Sequence, residues 1–498
     1  MKNFSHLFSL LIIALLILTP ALLPAETPHH DEAVATHATE EHHDTDHHAA
    51  PHVDGGHLSI IWAIPFIGIL LSIAVFPLVS PHFWHHHFGK IAAFWAILLI
   101  IPFLIVQGFS VTLYELLHVG LLEYIPFIVL LLALFTVSGG IRVTGRLQGS
   151  PLVNTGIILL GTILASWMGT TGAAMLLIRP LIRANKWRKK NVHVIVFFIF
   201  LVANIGGSLT PLGDPPLFLG FLKGVDFFWT TTNMFIPMVV AVLILLALFF
   251  IIDSFFYNQE KMPEELKMEA GDEKLGLEGK INLLLLLGVI GSVLLSGFWR
   301  PGISFTVYHV DVELQNLTRD LLLLALTVTS WKITDMKVRT ANEYSWFPIV
   351  EVGKLFAGIF VTIIPAIAIL KAGTEGALSA VISSVSDGAG NPVNYMYFWA
   401  TGILSSFLDN APTYLVFFNT AGGDAISLMT TYQNTLLAIS TGAVFMGANT
   451  YIGNAPNFMV KSISEEAGIN MPSFFGYIIK YSLPILIPIF IIISLIFF

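Results

Sequence analysis

The sequence contains no cysteine, which excludes disulfides, thiolate metal sites and cysteine nucleophiles. Charged residues are also scarce, at 11% of 498 residues, well under the roughly 25% typical of soluble domains. The net charge of −8 and the lack of one concentrated basic patch disfavour nucleic-acid binding. Apolar runs of about 18 or more residues recur along the chain instead. The sequence therefore predicts an all-α polytopic membrane protein.

The first 57 residues differ in composition from the rest of the chain. Residues 1–25 have a short polar start, an apolar centre and Pro24-Ala25 before a polar stretch, which is typical of a signal segment or of an uncleaved anchor. Residues 26–57 hold nine histidines among acidic and small residues, a composition that predicts a disordered tract. A solvated tail is the favoured interpretation, and weak Zn²⁺ binding by the histidine pairs is the alternative.

Ten apolar stretches are predicted to span the membrane, near residues 58–79, 90–111, 121–140, 192–222, 233–256, 281–298, 319–331, 344–370, 433–456 and 473–498. Two more, 152–180 and 396–420, are split by polar and small residues and are predicted to be re-entrant hairpins. With the histidine tract in the periplasm, seventeen of the 24 lysines and arginines then lie in cytoplasmic loops, as the positive-inside rule requires of a bacterial inner-membrane protein.

A charged linker at residues 258–280, predicted to be cytoplasmic, divides the membrane region into two halves, 58–257 and 281–498. Each half comprises about five spans and one hairpin, and one span of each half carries a glycine- and proline-rich break. Because the first half begins outside and the second begins inside, the halves are predicted to be inverted repeats.

A shift of 240 positions aligns two polar segments of these halves without a gap. Residues 207–218 fall on 447–458, and residues 166–172 fall on 406–412. Glycine and proline in a membrane helix free backbone groups that hydrocarbon cannot satisfy, so such breaks occur where they line a polar cavity or pack against protein. Paired broken helices of this kind are typical of secondary transporters.

Two carboxylates, Asp214 and Asp409, lie within these polar segments. A buried carboxylate either pairs with a cation or takes up a proton, and competition between Na⁺ and H⁺ for one carboxylate is sufficient for antiport. Capping of a broken helix end is the structural alternative for each aspartate. The surrounding hydroxyl and amide groups suited to a monovalent cation are Thr170, Thr171, Asn204, Ser208, Thr210, Asn410, Asn449, Thr450, Asn454 and Asn457.

Two motifs resemble those of the ion transporter superfamily, and within it the NhaD-type sodium/proton antiporters. They are Asn204-Ile-Gly-Gly-Ser-Leu-Thr-Pro-Leu-Gly-Asp214 and Ser405-Ser-Phe-Leu-Asp-Asn-Ala-Pro-Thr413. The resemblance covers roughly residues 58–498. It implies a scaffold domain, a mobile transport domain with elevator-like movement, a homodimer in the lipid membrane, and transported Na⁺ (or Li⁺) and H⁺ with no cofactor.

The first hairpin departs from the antiporter pattern. It reads Met168-Gly-Thr-Thr-Gly172, where antiporters of this type tend to have an acidic tip, and this resembles the related sodium/dicarboxylate and citrate carriers. Two site aspartates without a clear site lysine or arginine favour a cation. Sodium/proton antiport is therefore the main prediction, and sodium-coupled citrate or dicarboxylate transport is the alternative.

Two other classes of protein are disfavoured. An intramembrane aspartyl protease needs two carboxylates close enough to share a proton, whereas Asp214 and Asp409 belong to different halves. A divalent-metal carrier would agree with the histidine tract, but the membrane region offers only His193 near a span entrance. The chain is therefore not expected to be an enzyme.

Overall fold

The computed structural model describes residues 51–145, 147–261 and 276–498. The predicted signal segment, most of the histidine tract and residues 262–275 of the predicted linker lie outside the described residues. Within them the fold is all-α and polytopic, with two short antiparallel strand pairs outside the helices.

The first half begins with two short 3₁₀ turns, Gly55–His57 and Ile60–Ala63. Its helices are α1 Ile64–Val79, α2 Pro81–Val119, α3 Ile125–Ser138, α4 Pro151–Met168, α5 Thr170–Ala184, α6 Val192–Leu201, α7 Pro215–Leu222 and α8 Trp229–Tyr257. A π-helical turn, Gly120–Tyr124, joins α2 to α3, and a 3₁₀ turn, Ile205–Leu209, follows α6.

The helices of the second half are α9 Ile281–Phe298, α10 Leu314–Ile333, α11 Met336–Ala341, α12 Phe347–Thr362, α13 Ile364–Lys371, α14 Ser379–Ser384, α15 Asn394–Phe407, α16 Asn410–Thr420, α17 Ala425–Met429, α18 Gln433–Met446, α19 Ala455–Glu466, α20 Phe474–Tyr477 and α21 Ile487–Phe497. The 3₁₀ turns Gly373–Glu375 and Gly447–Asn449 and the π-helical segment Ile478–Leu486 complete it. Four of these helices, α12, α13, α19 and α21, carry proline in their first turn, where its missing amide would have no helical partner.

Four short strands form two antiparallel pairs. β1 Arg142–Thr144 pairs with β2 Gly276–Glu278, with Arg142 opposite Glu278 in an ion pair of 3.1 Å. β3 Ser304–Val307 pairs with β4 Val310–Glu313 around Tyr308 and His309, which have φ angles of 46° and 63°. The first pair ties the end of the linker to the loop that follows α3.

Among the described residues, seven helical segments are long and apolar enough to cross a membrane, and the pair α12 and α13, bent by 42°, would make an eighth. The predicted spans 90–111 and 121–140 belong to one helical run, Pro81–Ser138, which is interrupted at Gly108 with a φ of 82°. Glu115 and Glu123 lie in this run, where Glu115 accepts a hydrogen bond from Val53 N and Glu123 pairs with Lys223.

The predicted hairpins are each two packed helices with a break between them. Gly169, at a φ of 80°, separates α4 from α5, and Leu408 and Asp409 separate α15 from α16. The predicted spans 192–222 and 433–456 are also broken, since α6 ends before the turn at 205–209 and α18 before the turn at 447–449. Re-entry and the inverted orientation of the halves stay predictions.

The broken elements lie at the centre of the molecule. Of the helical run Val192–Leu209, 89% of residues are buried, so neighbouring helices surround it on nearly all sides. Helix α4 packs on α5, α7 on α16, α19 on α5, and α15 on α18. Helices α3, α9, α10 and α12 form a neighbouring layer, in which α3 contacts both α9 and α10. The fold thereby brings the two polar breaks together in its interior.

Candidate functional site

Side chains at the start of four helices meet at one buried carboxylate. Asp214 precedes α7, Asn454 precedes α19, Thr170 opens α5 and Asn410 opens α16. The positive ends of aligned peptide dipoles lie at helix N-termini, where negative charge is stabilised. The breaks in both halves thus place four such ends around Asp214.

Asp214 is 1% exposed and accepts three side-chain hydrogen bonds. Its Oδ1 accepts from Thr170 Oγ1 at 3.1 Å and from Asn454 Nδ2 at 2.9 Å, and its Oδ2 accepts from Asn410 Nδ2 at 2.5 Å. No lysine or arginine in the described ranges forms an ion pair with it. Its negative charge is therefore balanced by dipoles rather than by a cation of the chain.

Two further amides connect the halves behind this carboxylate. Asn204 Nδ2 donates to Asn457 Oδ1 at 2.7 Å and to Ile199 O at 2.7 Å. Asn457 Nδ2 then donates to Gly447 O and to Thr450 O, both at 2.9 Å. Because both asparagines are fully buried, these bonds hold the backbone of the second break against the first.

Three amide oxygens of the predicted site have no hydrogen-bond donor among the described residues. They are Asn204 Oδ1, Asn410 Oδ1 and Asn449 Oδ1, and all three atoms are buried. A Cβ atom built on Gly447 would lie 3.1 Å from Asn204 Oδ1, 3.2 Å from Gly453 O and 3.7 Å from Asn410 Nδ2. A buried oxygen without a partner is costly, and a small hard cation is the kind of ligand that satisfies it.

The same hydrogen bonds recur at positions 240 apart. Thr210 Oγ1 donates to Ser166 O, and Thr450 Oγ1 donates to Ser406 O. Ser166 Oγ donates to Gly206 O at 2.5 Å, and Ser406 Oγ donates to Met446 O at 3.0 Å. In both halves a threonine and a serine thereby fix the break against the preceding helix pair.

The remaining predicted site residues have separate places. Ser208 Oγ donates to Ile205 O at 2.8 Å, inside its own turn. Asn449 Nδ2 donates to Ser406 Oγ at 2.9 Å. Asp409 caps α16 by accepting from Ala411 N at 3.0 Å, and Thr413 Oγ1 donates to its carbonyl. Asp409 thus adopts the capping geometry named as its structural alternative, outside the amide network of Asp214.

A cavity of about 100 Å³ adjoins Asp214. The break at 211–215 and the tip Gly169–Gly172, including the half-buried Thr171, form one wall. Helix α3 at Leu130–Phe135, helix α12 at Pro348–Val352 and the start of α19 form the others. The cavity holds several water volumes, which is enough for an ion or a small organic group. No lysine or arginine of the described residues lines it.

Ser166, Ser406 and Gly447 were not predicted as site residues. The repeat contained their signal, because the 240-residue shift places serine on serine and Gly207 on Gly447. These residues act through backbone carbonyl groups. Because every residue has a backbone carbonyl, the sequence does not show which carbonyls will accept a hydrogen bond at the site.

Comparison with known proteins places the chain among transporters. A family model described as putative citrate transport matches residues 55–498. An uncharacterized transporter of Mycobacterium tuberculosis and one of Mycobacterium bovis are each 23% identical over 361 residues, which is 68% of this chain and 78% of either relative. Together with the polytopic helical fold, these matches agree with a transport protein rather than an enzyme.

Proposed function

We propose that this chain, which belongs to the putative citrate transport family, is a secondary active transporter of a small carboxylate anion coupled to Na⁺. One observation carries the proposal: a cavity onto which an uncapped helix N-terminus opens is lined by the buried Asp214, whose carboxylate accepts from Asn410, an amide with a buried oxygen that lacks a donor. Citrate and dicarboxylates are the anions of first choice.

The cation would bind beside Asp214. Both carboxylate oxygens already accept from side chains, so the carboxylate is held in place rather than free to turn. Asn204 Oδ1 and Asn410 Oδ1 supply oxygens that lack donors, and Asn204 Oδ1 faces Gly447. Carbonyl oxygens at broken helices are the usual ligands of Na⁺ in secondary transporters.

The anion would bind at the tip between α4 and α5. No side chain caps the N-terminus of α5, and Thr170, Thr171 and Gly172 line the cavity there. Helix N-termini favour negatively charged groups, and half-helix N-termini hold substrate carboxylates in membrane transporters. The hydroxyl group of Thr171 adds a hydrogen-bond donor at the same cavity, whereas that of Thr170 already donates to Asp214.

Coupling follows from the charge at the site. An anion entering the cavity meets the negative charge of Asp214 and no lysine or arginine in the described lining. Na⁺ at Asp214 removes that repulsion, so the cation is expected to bind first and the anion second. The anion alone is bound poorly, which prevents its uncoupled passage.

Transport by the purified full chain in liposomes tests this function. We expect labelled citrate or a labelled dicarboxylate to accumulate under an inward Na⁺ gradient, and not under an equal K⁺ gradient. Accumulation should collapse when a Na⁺ ionophore removes the gradient. Failure of citrate and of four-carbon dicarboxylates to accumulate under either gradient would overturn the proposal.

Exchange of Na⁺ or Li⁺ for H⁺ is the second candidate. The observation that favours it is the buried Asp214 without a lysine or arginine partner among the described residues, because Na⁺ and H⁺ can compete for such a group. In the same liposomes, Na⁺-evoked proton movement without a carboxylate present would favour antiport. Na⁺ entry that requires the carboxylate and moves no protons would favour the symport.

Gly447→Ala is expected to raise the Na⁺ concentration for half-maximal uptake by about tenfold, as overpacking of about 1–3 kcal/mol implies. The backbone of Gly447, with φ −54° and ψ −25°, accepts alanine without strain, so the effect comes from filling the space near Asn204 Oδ1. Gly291→Ala in α9 is the control, because a Cβ there meets nothing within 4 Å. Equal Na⁺ dependence in the two variants would contradict this placement of the cation.

A further inference from the structure

A basic groove lies at one end of the helix bundle, away from Asp214. It is formed by Lys189, Lys190 and Lys480 over apolar walls that include Phe197, Ile252 and Ile485, and its cavity is about 460 Å³. Three separate segments contribute to it: the start of α6, the end of α8 and the π-helical segment Ile478–Leu486.

The lysines of the basic groove are not neutralised by carboxylates in the described chain. Lys190 Nζ donates to the neutral Gln259 Oε1 at 2.7 Å and lies 5.3 Å from the centre of the Phe256 ring. No carboxylate of the described residues lines the groove. The nearest acids are already engaged, since Asp253 pairs with Arg188 at 2.5 Å and Glu260 accepts from the backbone amides of Lys189 and Lys190.

The groove opens toward the lipid. Ile251 and Phe255 on α8 are 64% and 62% exposed, and Ile479 and Leu483 on the π-helical segment are 64% and 51% exposed. These exposed apolar side chains lie on the two segments that contribute Ile252, Phe256 and Lys480 to the groove, and such exposure is expected of surfaces that contact acyl chains. The end of α6 that carries Val192 also has no side-chain cap, which adds a positive dipole end to the three lysines.

We propose that the basic groove binds the phosphate headgroup of an anionic phospholipid of the leaflet on the positively charged side of the protein. The lysines contact the phosphate, and the apolar walls at Phe197, Ile252 and Ile485 receive the start of an acyl chain. Basic pockets between membrane helices on the cytoplasmic side are suited to such headgroups. A free phosphate ion matches the charge but leaves the apolar walls unused.

Native mass spectrometry of the purified full chain tests the proposal. The protein is titrated with phosphatidylglycerol and with phosphatidylcholine of the same acyl chains, and bound lipid is counted. We expect phosphatidylglycerol to be retained over phosphatidylcholine, and the variant Lys189→Gln/Lys190→Gln/Lys480→Gln to bind it about tenfold more weakly. The single variant Lys480→Gln, at an exposed position on a different segment from the other two lysines, should show a smaller loss in the same direction.

The control variant Lys90→Gln/Lys332→Gln/Lys337→Gln removes the same charge from exposed lysines that are predicted to lie on the same side of the membrane. It should retain phosphatidylglycerol as the unmodified protein does. Equal loss in both triple variants, equal retention of the two lipids, or displacement of bound lipid by millimolar inorganic phosphate would each overturn the proposal.

Discussion

Asp214→Asn is expected to abolish Na⁺-driven uptake at Na⁺ concentrations that saturate the unmodified protein. The substitution removes the only charge among the side chains that meet at the four helix starts. It also replaces one carboxylate oxygen with an NH₂ group, which faces the donor Asn410 Nδ2 or Asn454 Nδ2 and cannot accept its hydrogen bond. Loss of one partner of a buried charged interaction costs roughly 2–5 kcal/mol, which is at least about 30-fold in Na⁺ affinity. Measuring the uptake of labelled carboxylate at a series of Na⁺ concentrations gives the apparent Na⁺ affinity of each variant.

Asp409→Asn is the matched control in the other half. Asparagine also caps helices well, so the bond from Ala411 N can be kept, and uptake should fall much less than in Asp214→Asn. A loss of equal size would assign the cation to both carboxylates, as predicted from the sequence. Unchanged Na⁺ dependence in Asp214→Asn would remove Asp214 from the coupling site altogether.

Much of the site's framework could be predicted from the internal repeat. The 240-residue shift pairs Thr210 with Thr450 and Ser166 with Ser406, and these are the side chains whose hydrogen bonds recur in the structure. Helix breaks at Gly169 and near Gly447 were also predictable, because glycine and proline interrupt apolar runs there. Helix breaks depend on local composition, and they can therefore be predicted from the sequence.

The distinction between the two aspartates could not be predicted. Both lie in apolar settings of the sequence, yet only Asp214 receives amides from Asn410 and Asn454, which are 196 and 240 residues away. Asp409 has instead the amide of its own helix. The packing of the two breaks against each other determines which aspartate receives amide side chains. Residues adjacent to each aspartate in the sequence do not determine this packing.

The substrate class shows a similar limit. The charge count predicted a cation exchanger, whereas the family match agrees with the citrate-carrier likeness of Thr170-Thr171 at the first hairpin tip. Helix N-termini explain why counting side-chain charges is insufficient, because four dipole ends at Asp214 provide positive potential without a lysine or arginine. NhaD-type exchange stays a prediction.

His193 was predicted to lie near a span entrance, and the structure places it in a buried cluster with Arg188. Arg188 Nη1 lies 2.5 Å from Asp253 Oδ1, and both side chains are fully buried. His193 Nε2 contacts the same oxygen at 2.8 Å, and Asn154 Nδ2 donates to Oδ2 at 2.9 Å. The carboxylate that pairs with Arg188 belongs to Asp253 on α8. This pairing could not be predicted from the residues around Arg188, because α8 is distant in the sequence.

Asp253→Asn is therefore expected to lower the free energy of unfolding by about 3 kcal/mol, because it leaves the buried Arg188 guanidinium with Glu260 Oε2, 3.5 Å from its Nε, as its remaining counter-charge among the described residues. The substitution keeps the volume of the side chain, so cavity formation contributes little. Chemical unfolding of the purified protein in detergent measures the change. Glu465→Gln is the control, since its pair with Lys461 is a partly exposed one-turn pair, and it should cost less than about 0.5 kcal/mol.

The double variant Asp253→Leu/Arg188→Leu separates the charge effect from general damage to the cluster. Replacing both members of a buried ion pair with apolar side chains is often neutral or stabilising, so the double variant should be more stable than Asp253→Leu alone. If the single and double variants unfold alike, the arginine does not need its carboxylate. If Asp253→Asn matches Glu465→Gln, water reaches Arg188 in solution and the cluster contributes little to stability.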